Sequence, residues 1–297
     1  MYRYRAVFAV GRAFDKLHHI EHAPPHLLFL GNSRTDNGID PRTVNRVLRW
    51  PANSSFNLGL PGANALIYHG LVERLLQHDV FAKNRVNTVL LGLDESALQE
   101  DNSLGYSSFF SDPNTLWQNR RYGEWIGSYF RLWSYSANLR QLHEPEKASR
   151  MIEATLHSLD PVGGSAAQND GYRAGFSAAQ NDTQASRQEI SAQLQPSLGV
   201  LPYLWLTLAA LEQKNVRVII FIPPLRDRPS AFFDPSPSAA PYRRLLEQLK
   251  QRGISVLRTS SIPYAPSEFV NAGHLNDRGA QRYSAWMGEQ LAALGVK

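Results

Sequence analysis

Short apolar runs alternate along this chain with longer segments in which apolar residues recur every three or four positions. Apolar runs of about four to eight residues predict buried β-strands, and the longer stripes predict amphipathic helices. The run VNTVLLGL at 86–93 is apolar on both faces, which is typical of a parallel strand covered by helices on both sides. The predicted strands are 27–30, 55–58, 86–93, 216–222 and 254–257.

Helix signals fall between these strands. Asp40 followed by Pro41 predicts an N-cap and a first helical residue, with the helix ending near 49. Asn276 or Asp277 predicts the N-cap of a final helix that ends near 294. The other helices are predicted at about 1–23, 64–78, 186–214 (interrupted near Pro196 and Pro202) and 240–252.

The order of these elements predicts the fold class. Strands and helices alternate, and right-handed crossovers between parallel strands place helices on both faces of one sheet. We therefore expect an α/β protein: a three-layer α/β/α sandwich with a five-stranded parallel sheet of order 2-1-3-4-5, as in flavodoxin-like folds. Residues 1–297 are expected to form a single domain, with 1–25 as an N-terminal lead-in helix.

The regular alternation of strands and helices is interrupted after the third predicted strand. We interpret residues 94–185 as a helical and loop insertion that forms a cap over the carboxyl edge of the sheet. One long helix is predicted at 136–159. The motif SAAQND then occurs twice, and Asp170-Gly171 is typical of a hairpin turn. This last stretch is predicted to be a surface loop or a hairpin.

The insertion is rich in aromatic residues, which allow two interpretations. Aromatic clusters usually fill cores, so ordinary packing is favoured. A surface on which sugar rings stack is the alternative. The residues are Tyr106, Phe109, Phe110, Trp117, Tyr122, Trp125, Tyr129, Phe130, Trp133 and Tyr135.

Composition narrows the function classes. Charged residues make up 19% of the chain, below the usual quarter, and hydrophobic residues make up 43%, so a sizeable core can form. The net charge is +5, but the basic residues are scattered without a long Lys/Arg run. This pattern does not indicate a nucleic-acid groove, and it suits an anionic glycan or a membrane surface equally well.

The N-terminal segment allows two interpretations. No apolar segment approaches the ~20 residues of a membrane span, and the first residues lack the apolar region and cleavage site of a signal peptide. The segment is either an amphipathic lead-in helix or the remainder of a region whose membrane anchor lies upstream.

The chain contains no cysteine, which excludes disulfides, a thiolate nucleophile and cysteine-ligated metals. His18, His22 and His26 have a spacing that suits metal ligands. Pro24-Pro25 would break the helix before the third histidine, and no carboxylate completes the set, so a polar helix face is favoured and no metal is predicted. No cofactor is predicted either, because neither a G-x-G-x-x-G motif nor a P-loop follows any strand.

Candidate catalytic residues follow the ends of the predicted strands. The first strand ends at Gly31 and is followed by Ser33 on a tight loop, which is how α/β enzymes present a nucleophile. Ligands bind beyond the carboxyl ends of parallel strands, and His274, after the fifth strand, is expected at the same edge. A serine hydroxyl needs a base at neutral pH, and His274 is the candidate. The backbone N–H groups of Ser33 and Gly62 are candidate donors to a developing oxyanion.

These motifs, in this order, resemble the SGNH (GDSL-type) hydrolase superfamily. The Gly-Asp-Ser block of that superfamily is matched by GNS at 31–33, and its second-block glycine by Gly62 in NLGLPGAN. The Asp-x-x-His block, followed by Leu-Asn and a glycine, is matched by NAGHLN at 271–276 with Gly279. The continuation GNSRTDNGIDP resembles the bacterial branch of envelope and exopolysaccharide acyl-group enzymes.

The resemblance implies a serine esterase or O-acetyltransferase that acts on acyl esters of a carbohydrate or cell-envelope polysaccharide. It implies catalytic roles for Ser33, His274 and the position of Asn271. It also implies a place in the bacterial cell envelope and, as partners, membrane-bound polysaccharide-biosynthesis proteins, with no nucleic acid. Oxyanion or substrate contacts are expected from Gly62, Asp94, Asn64 and Arg34.

Two departures from the superfamily pattern bear directly on catalysis. The third block usually reads Gly-x-Asn-Asp, and its Asn donates to the oxyanion, but Asp94 stands there, and a carboxylate cannot donate unless protonated. The usual triad Asp is replaced by Asn271. A Ser–His dyad, another acid such as Asp277 or Glu268, and a loss of activity all remain open. In the last case, the fold would bind a glycan or serve in a polysaccharide-biosynthesis complex.

Overall fold

The computed structural model describes residues 9–82, 85–100, 106–135, 139–157, 169–176, 195–259 and 264–296. Its strands are Leu27–Gly31 (β1), Ser55–Gly59 (β2), Thr88–Gly92 (β3), Arg217–Ile222 (β4) and Ser255–Arg258 (β5). They form one all-parallel sheet in the order β2-β1-β3-β4-β5, which confirms the predicted fold class and strand order.

Helices cover both faces of this sheet. They are Ala9–His22 (α1), Ser33–Gly38 (α2), Pro41–Leu48 (α3), Ala65–Gln77 (α4), Ser107–Phe110 (α5), Pro113–Gln118 (α6), Tyr122–Tyr129 (α7), Arg131–Ser134 (α8), Pro145–Leu156 (α9), Leu201–Gln213 (α10), Ala240–Gln251 (α11) and Asp277–Ala293 (α12).

The strands β1, β2 and β3 are buried at every position because each face of the sheet has its own hydrophobic core. Successive side chains of a strand point to opposite faces. Leu28 and Leu30 accordingly pack in one core with residues of α1, α4, α10 and α11. Leu27 and Phe29 pack in the other core with residues of α3 and α12. This arrangement explains why the strands read as continuous apolar runs.

The helix caps predicted from the sequence are present. The Asp40 carboxylate accepts a hydrogen bond from the Arg42 N–H, and Pro41 begins α3. The Asn276 side chain accepts from the Gly279 N–H and caps α12. These two caps fix where the chain turns from the strand ends into the helices on the second face.

Two local predictions are wrong. The Ser33 loop is not a simple turn, because residues 33–38 form α2. The continuous helix predicted at 136–159 is also wrong: a 3-10 turn at Arg140–His143 is followed by α9, which begins at Pro145. Proline lacks the N–H of a helix interior and disfavours helical backbone in the residue before it, so a new helix starts there.

The described part of 94–185 shows how the insertion meets the sheet layers. The backbone of α5 lies close to Gly70 of α4, where a side chain would collide with Phe110. Asp170 and Gly171 form the expected turn, but no strand flanks it within 169–176. Most of both SAAQND copies lies outside the described residues. The division into a single domain with a cap stays a prediction.

The aromatic residues of the insertion include a buried and an exposed group, with Trp125 and Tyr135 half-buried. Tyr106, Phe109 and Phe110 are buried in the core on the α4 face. A second group is exposed along α6, α7 and α8. Its members are Trp117, Tyr122, Tyr129, Phe130 and Trp133.

The lead-in helix packs on the sheet as part of the main core. Four residues of α1 with helical spacing are fully or almost fully buried: Val10, Ala13, Leu17 and Ile20. The start of the predicted helix, residues 1–8, lies outside the described residues. Within the described part of the chain, no helix combines the length and the hydropathy needed to cross a membrane.

Candidate active site

Ser33 lies directly beyond the carboxyl end of β1, at the first residue of α2. Asn32 caps this helix, since its side-chain oxygen accepts a hydrogen bond from the Arg34 N–H at 3.0 Å. The helix packs directly on the end of β2 because Gly59 has no side chain; a Cβ there would collide with the Asp36 backbone. The sheet and the cap together fix the position of Ser33.

Ser33 and His274 are hydrogen-bonded although 241 residues separate them along the chain. The Ser33 Oγ lies 2.8 Å from Nε2 of the His274 ring. His274 lies in the loop that joins the end of β5 to α12, so the parallel strands bring both loops to one edge. The structure thus places the predicted nucleophile within proton-transfer distance of the predicted base.

Asn271 contacts the other nitrogen of the imidazole. Its Oδ1 accepts from the N–H groups of Gly273 and His274, at 3.0 and 2.9 Å, and lies 3.0 Å from His274 Nδ1. Because a carbonyl oxygen can only accept, Nδ1 must carry the ring proton. Nε2 is then unprotonated and able to accept the Ser33 proton, so the neutral ring has the tautomer that a general base requires.

His274 is held in its neutral form by its surroundings. Burial is the largest cause, and the positive charge of Arg34 adds to it; together they lower the pKa of His274 to about 4. Asp94 acts in the opposite direction without overcoming them. At neutral pH the imidazole is ready to accept a proton, but no carboxylate of the described residues hydrogen-bonds to the ring to stabilise the imidazolium that would form.

The two alternative acids predicted from the sequence do not contact the imidazole. Asp277 accepts from the Tyr172 hydroxyl at 2.7 Å and from a backbone N–H. Glu268 accepts from Arg282 at 2.9 Å and from the backbone N–H of Ala265. Neither carboxylate is therefore the third member of a triad in this structure.

Asp94 is an acceptor in this site. The Asn32 amide donates to its two oxygens at 3.0 and 2.8 Å, and the Ser96 hydroxyl donates at 2.6 Å. Burial opposes the charge of this carboxylate, but Arg34 and the hydrogen bonds from Ser96, Asn32 and Ala97 outweigh burial and lower the pKa of Asp94. An ionised carboxylate has no proton to donate, so Asp94 does not replace the oxyanion-binding Asn of the resembled family.

Arg34 connects three loops of the site. Its Nη1 lies 3.1 Å from Asp94 and 3.6 Å from Glu95, and the side chain is only 10% exposed. Its guanidinium also lies against Gly273, where a Cβ would stand 3.2 Å from Nε and Nη2. Predicted as a substrate contact, Arg34 holds the loop after β3 against the loop that carries His274.

Gly62 and Asn64 lie in the loop between β2 and α4; Gly62 is at the surface and Asn64 is buried. Gly62 is exposed and has φ +76°, a conformation that glycine adopts without strain. The Leu60 N–H bonds to the Gly31 carbonyl at 2.9 Å, which joins this loop to the strand end that carries the nucleophile. Asn64 is buried, caps α4 and donates to the Gln99 carbonyl, so its contacts shape the loop.

A buried ion pair beneath α2 could not be predicted from the sequence motifs. Lys16 of α1 is fully buried, and its Nζ lies 2.6 Å from both an Asp36 oxygen and the Gly59 carbonyl. Arg12 approaches the same carboxylate at 3.4 Å. The pair joins the lead-in helix to the helix of Ser33 and the end of β2. One sequence signal existed: Lys16 adjoins Leu17 in the buried stripe of α1.

Removing this lysine is expected to destabilise the fold. Replacing Lys16 by methionine leaves the Asp36 carboxylate buried with only the more distant Arg12 as its partner. Breaking a buried ion pair in this way costs about 3–5 kcal/mol. We expect a loss of about 3 kcal/mol in the free energy of unfolding, measured by urea denaturation.

Lys250→Met is the matched control, because Lys250 pairs with Glu247 at 2.8 Å on the exposed face of α11. Exposed pairs contribute about 0–1 kcal/mol. A Lys16→Met variant that loses no more stability than Lys250→Met would contradict the structural role of the buried pair.

Potential metal-ligand side chains do not cluster within the described part of the chain. Among the described residues, no group of three or more His, Cys, Asp or Glu side chains is arranged to hold a metal ion, and the rings of His18 and His22 lie against each other, with their centres 4.1 Å apart.

Comparison of the whole chain with models of known protein families and with curated proteins gave no match.

Proposed function

We propose that this protein is a serine esterase or acyltransferase that cleaves acyl esters through Ser33 and His274. The observation that carries the proposal is the 2.8 Å hydrogen bond between Ser33 Oγ and His274 Nε2. The Nδ1–H tautomer, fixed by Asn271 Oδ1, supports it because it leaves Nε2 free to act as a base. The resemblance of the sequence to SGNH hydrolases supports the same reaction.

The reaction begins when the Ser33 oxygen attacks the ester carbonyl carbon and its proton moves to His274 Nε2. The tetrahedral intermediate then collapses, the bond to the alcohol oxygen breaks, and the imidazolium donates its proton to that oxygen. An acyl-serine remains. Water or a second hydroxyl attacks the acyl carbon as His274 takes its proton; the bond to Ser33 Oγ then breaks, and the imidazolium returns the proton to that oxygen.

The developing oxyanion needs hydrogen-bond donors, and backbone groups are the ones proposed. The Ser33 N–H is in the first turn of α2, where a helix provides no internal acceptor for it. The Gly62 N–H is the second candidate, since glycine lets a substrate approach the backbone. Each such donor contributes a few kcal/mol to the stability of the transition state.

The substrate class follows from the resemblance. The proposed substrates are acyl esters of carbohydrates, with O-acetyl groups of a cell-envelope polysaccharide as the first choice. Hydrolysis and transfer differ only in the acceptor that attacks the acyl-serine. A bacterial envelope location and association with polysaccharide-biosynthesis proteins belong to the same proposal.

Covalent labelling tests the nucleophile directly. A fluorophosphonate probe reacts with a serine whose hydroxyl is activated by a neighbouring base. We expect one equivalent of label on Ser33, located by peptide mass spectrometry, and at least tenfold slower labelling after His274→Gln. Labelling spread over other serines, or an equal rate in the variant, would overturn the proposal.

A second candidate function is glycan binding without catalysis. Two observations favour it: the neutral Asn271 leaves an imidazolium without a charged partner, and the ionised Asp94 lies in the site. The exposed aromatic side chains of α6, α7 and α8 offer faces on which sugars could stack. Absence of labelling at Ser33 together with saturable binding of an acetylated polysaccharide would favour this candidate.

A further inference from the structure

The segment 169–176 joins β2 to the start of α12, the helix that follows the His274 loop. At one end, the Asp170 carbonyl accepts from the backbone N–H of Asn57 on β2 at 2.8 Å. At the other end, the Phe176 carbonyl accepts from the N–H of Asp277, the first residue of α12, at 2.9 Å. Both contacts use backbone atoms, and the Tyr172 hydroxyl adds a third by donating to Asp277 at 2.7 Å.

Arg173 lies in the middle of this segment. Its N–H donates to the Asp36 carbonyl at 3.0 Å, which places it at the end of the helix that begins with Ser33. The charge of Arg173 acts on the His274 ring; after burial and Arg34, it helps to lower the pKa of that histidine. The backbone of Arg173 thus lies against the helix that begins with Ser33, the Phe176 carbonyl bonds to the first residue of α12, and the Arg173 side chain is partly exposed.

The guanidinium of Arg173 has no carboxylate within ion-pair distance among the residues that the structure describes. It lies instead over the ring of Phe176, at 5.4 Å from the ring centre. Such a stacked arginine keeps its N–H donors available to a ligand. Arg173 thus combines a charge, donors that no carboxylate of the described residues engages, and access to solvent, on a segment that contacts the Ser33 helix.

The described cations beside the Ser33 helix contact carboxylates. Lys16 and Arg12 share Asp36, and Arg34 pairs with Asp94. Arg173 adds a positive charge that no carboxylate of the described residues pairs with. An anion placed there would meet an attractive field and a planar set of donors that matches carboxylate and phosphate oxygens.

We propose that Arg173 binds an anionic group, a carboxylate or a phosphate, on the substrate that Ser33 attacks. An acetyl group carries no charge, so in an acetyl ester the anion is on the alcohol part. This identification of the substrate rests on the proposed esterase function. The anion site itself rests only on the position and charge of Arg173, and it can be tested without turnover.

Matched esters test the proposal. The probes are 4-acetoxybenzoate, 4-acetoxyphenyl phosphate and the neutral 4-acetoxybenzamide, and the readout is the ratio of kcat/KM for each anionic probe to that for the neutral one. Arg173→Gln is expected to lower this ratio about tenfold, while Arg173→Lys keeps most of it. The ratio for the wild-type protein should also fall as salt is added. Comparison of the two anionic probes distinguishes a carboxylate source from a phosphate source.

Arg42→Gln is the control, because it removes an arginine that pairs with Asp40 near the same segment. An Arg173→Gln variant whose ratio equals that of the wild type would overturn the anion site. A purely structural role for Arg173 would lower the rates for all probes together and leave the ratio unchanged, which also overturns it.

A binding experiment separates this proposal from the proposed function. NMR titration of the Ser33→Ala protein with methyl glucuronide, glucose 6-phosphate and methyl glucoside measures recognition without chemistry. We expect at least one anionic sugar to bind more tightly than the neutral one, and the added Arg173→Gln change to abolish the preference. If wild-type protein hydrolyses none of the esters but this preference holds, the esterase proposal fails and the anion site stands. If all three sugars bind alike, the anion site fails.

Discussion

Replacing Ser33 by alanine is expected to reduce the turnover of p-nitrophenyl acetate by about 10³-fold or more. The change removes the oxygen that would form the acyl intermediate and leaves His274 with no hydroxyl to deprotonate. Loss of a triad nucleophile leaves only the contribution of the oxyanion hole and of substrate binding. Initial rates at neutral pH, measured on purified wild-type and variant protein, give the ratio directly.

The backbone should tolerate this change, so the loss can be assigned to chemistry. Asn32 and the close packing of α2 on the end of β2, rather than the Ser33 hydroxyl, hold the helix in place. An unchanged melting temperature would confirm that the variant is folded. Ser238→Ala, which removes a hydroxyl from an exposed serine before α11, should turn over the ester like the wild type. Equal rates for Ser33→Ala and wild type would remove Ser33 from the mechanism.

The fold could be predicted because its strands carry a simple signal. In a parallel sheet covered on both faces, central strands are apolar on both sides, so fully buried runs such as that of β3 stand out from the sequence around them. Once the strands are known, right-handed crossovers and the position of the insertion restrict their order. The meeting of Ser33 and His274 follows from the same rule, because parallel strands deliver their loops to one edge.

The contacts that hold the site could not be predicted in the same way. Lys16 reaches Asp36 across the end of β2, and its spacing in α1 does not reveal where a buried carboxylate lies. Arg173 follows a stretch of small and polar residues without periodicity, and only the backbone contacts of its segment show where it lies. Long-range polar pairs depend on the final packing of the elements, which local sequence patterns do not encode.

Relative to the SGNH motifs, the carboxylate and the amide are exchanged between positions 32 and 94 of this chain. Where the family pattern has a carboxylate before the serine and an amide in the third block, this chain has Asn32 and Asp94. The structure shows that these two side chains are hydrogen-bonded to each other, so the amide–carboxylate contact links the two loops in the observed orientation. The negative charge is thereby placed after β3, where it also pairs with Arg34. The sequence alone shows two separate departures.

Replacing Asn271 by aspartate is expected to raise turnover of p-nitrophenyl acetate at pH 7 by about 10²-fold. In a serine-protease triad, the reverse change costs ~10⁴ in rate, largely because the amide selects the wrong tautomer of the histidine. Here the N–H groups of Gly273 and His274 already direct Oδ1 toward the ring, so the tautomer is correct and only the charge is missing. The expected gain is therefore smaller, about 3 kcal/mol of imidazolium stabilisation.

The pH dependence of the same variant provides an independent check. His274 acts as a base only when neutral, so kcat/KM of the wild type should rise as the pH increases through about 4, the pKa to which burial and Arg34 lower the ring. A carboxylate at 271 favours the imidazolium and raises the pKa of His274, so the acid limb should move to higher pH. Asn119→Asp adds the same charge at an exposed position of the insertion and should change neither the rate nor the limb. An Asn271→Asp protein with wild-type turnover and an unmoved acid limb would show that His274 is not the base.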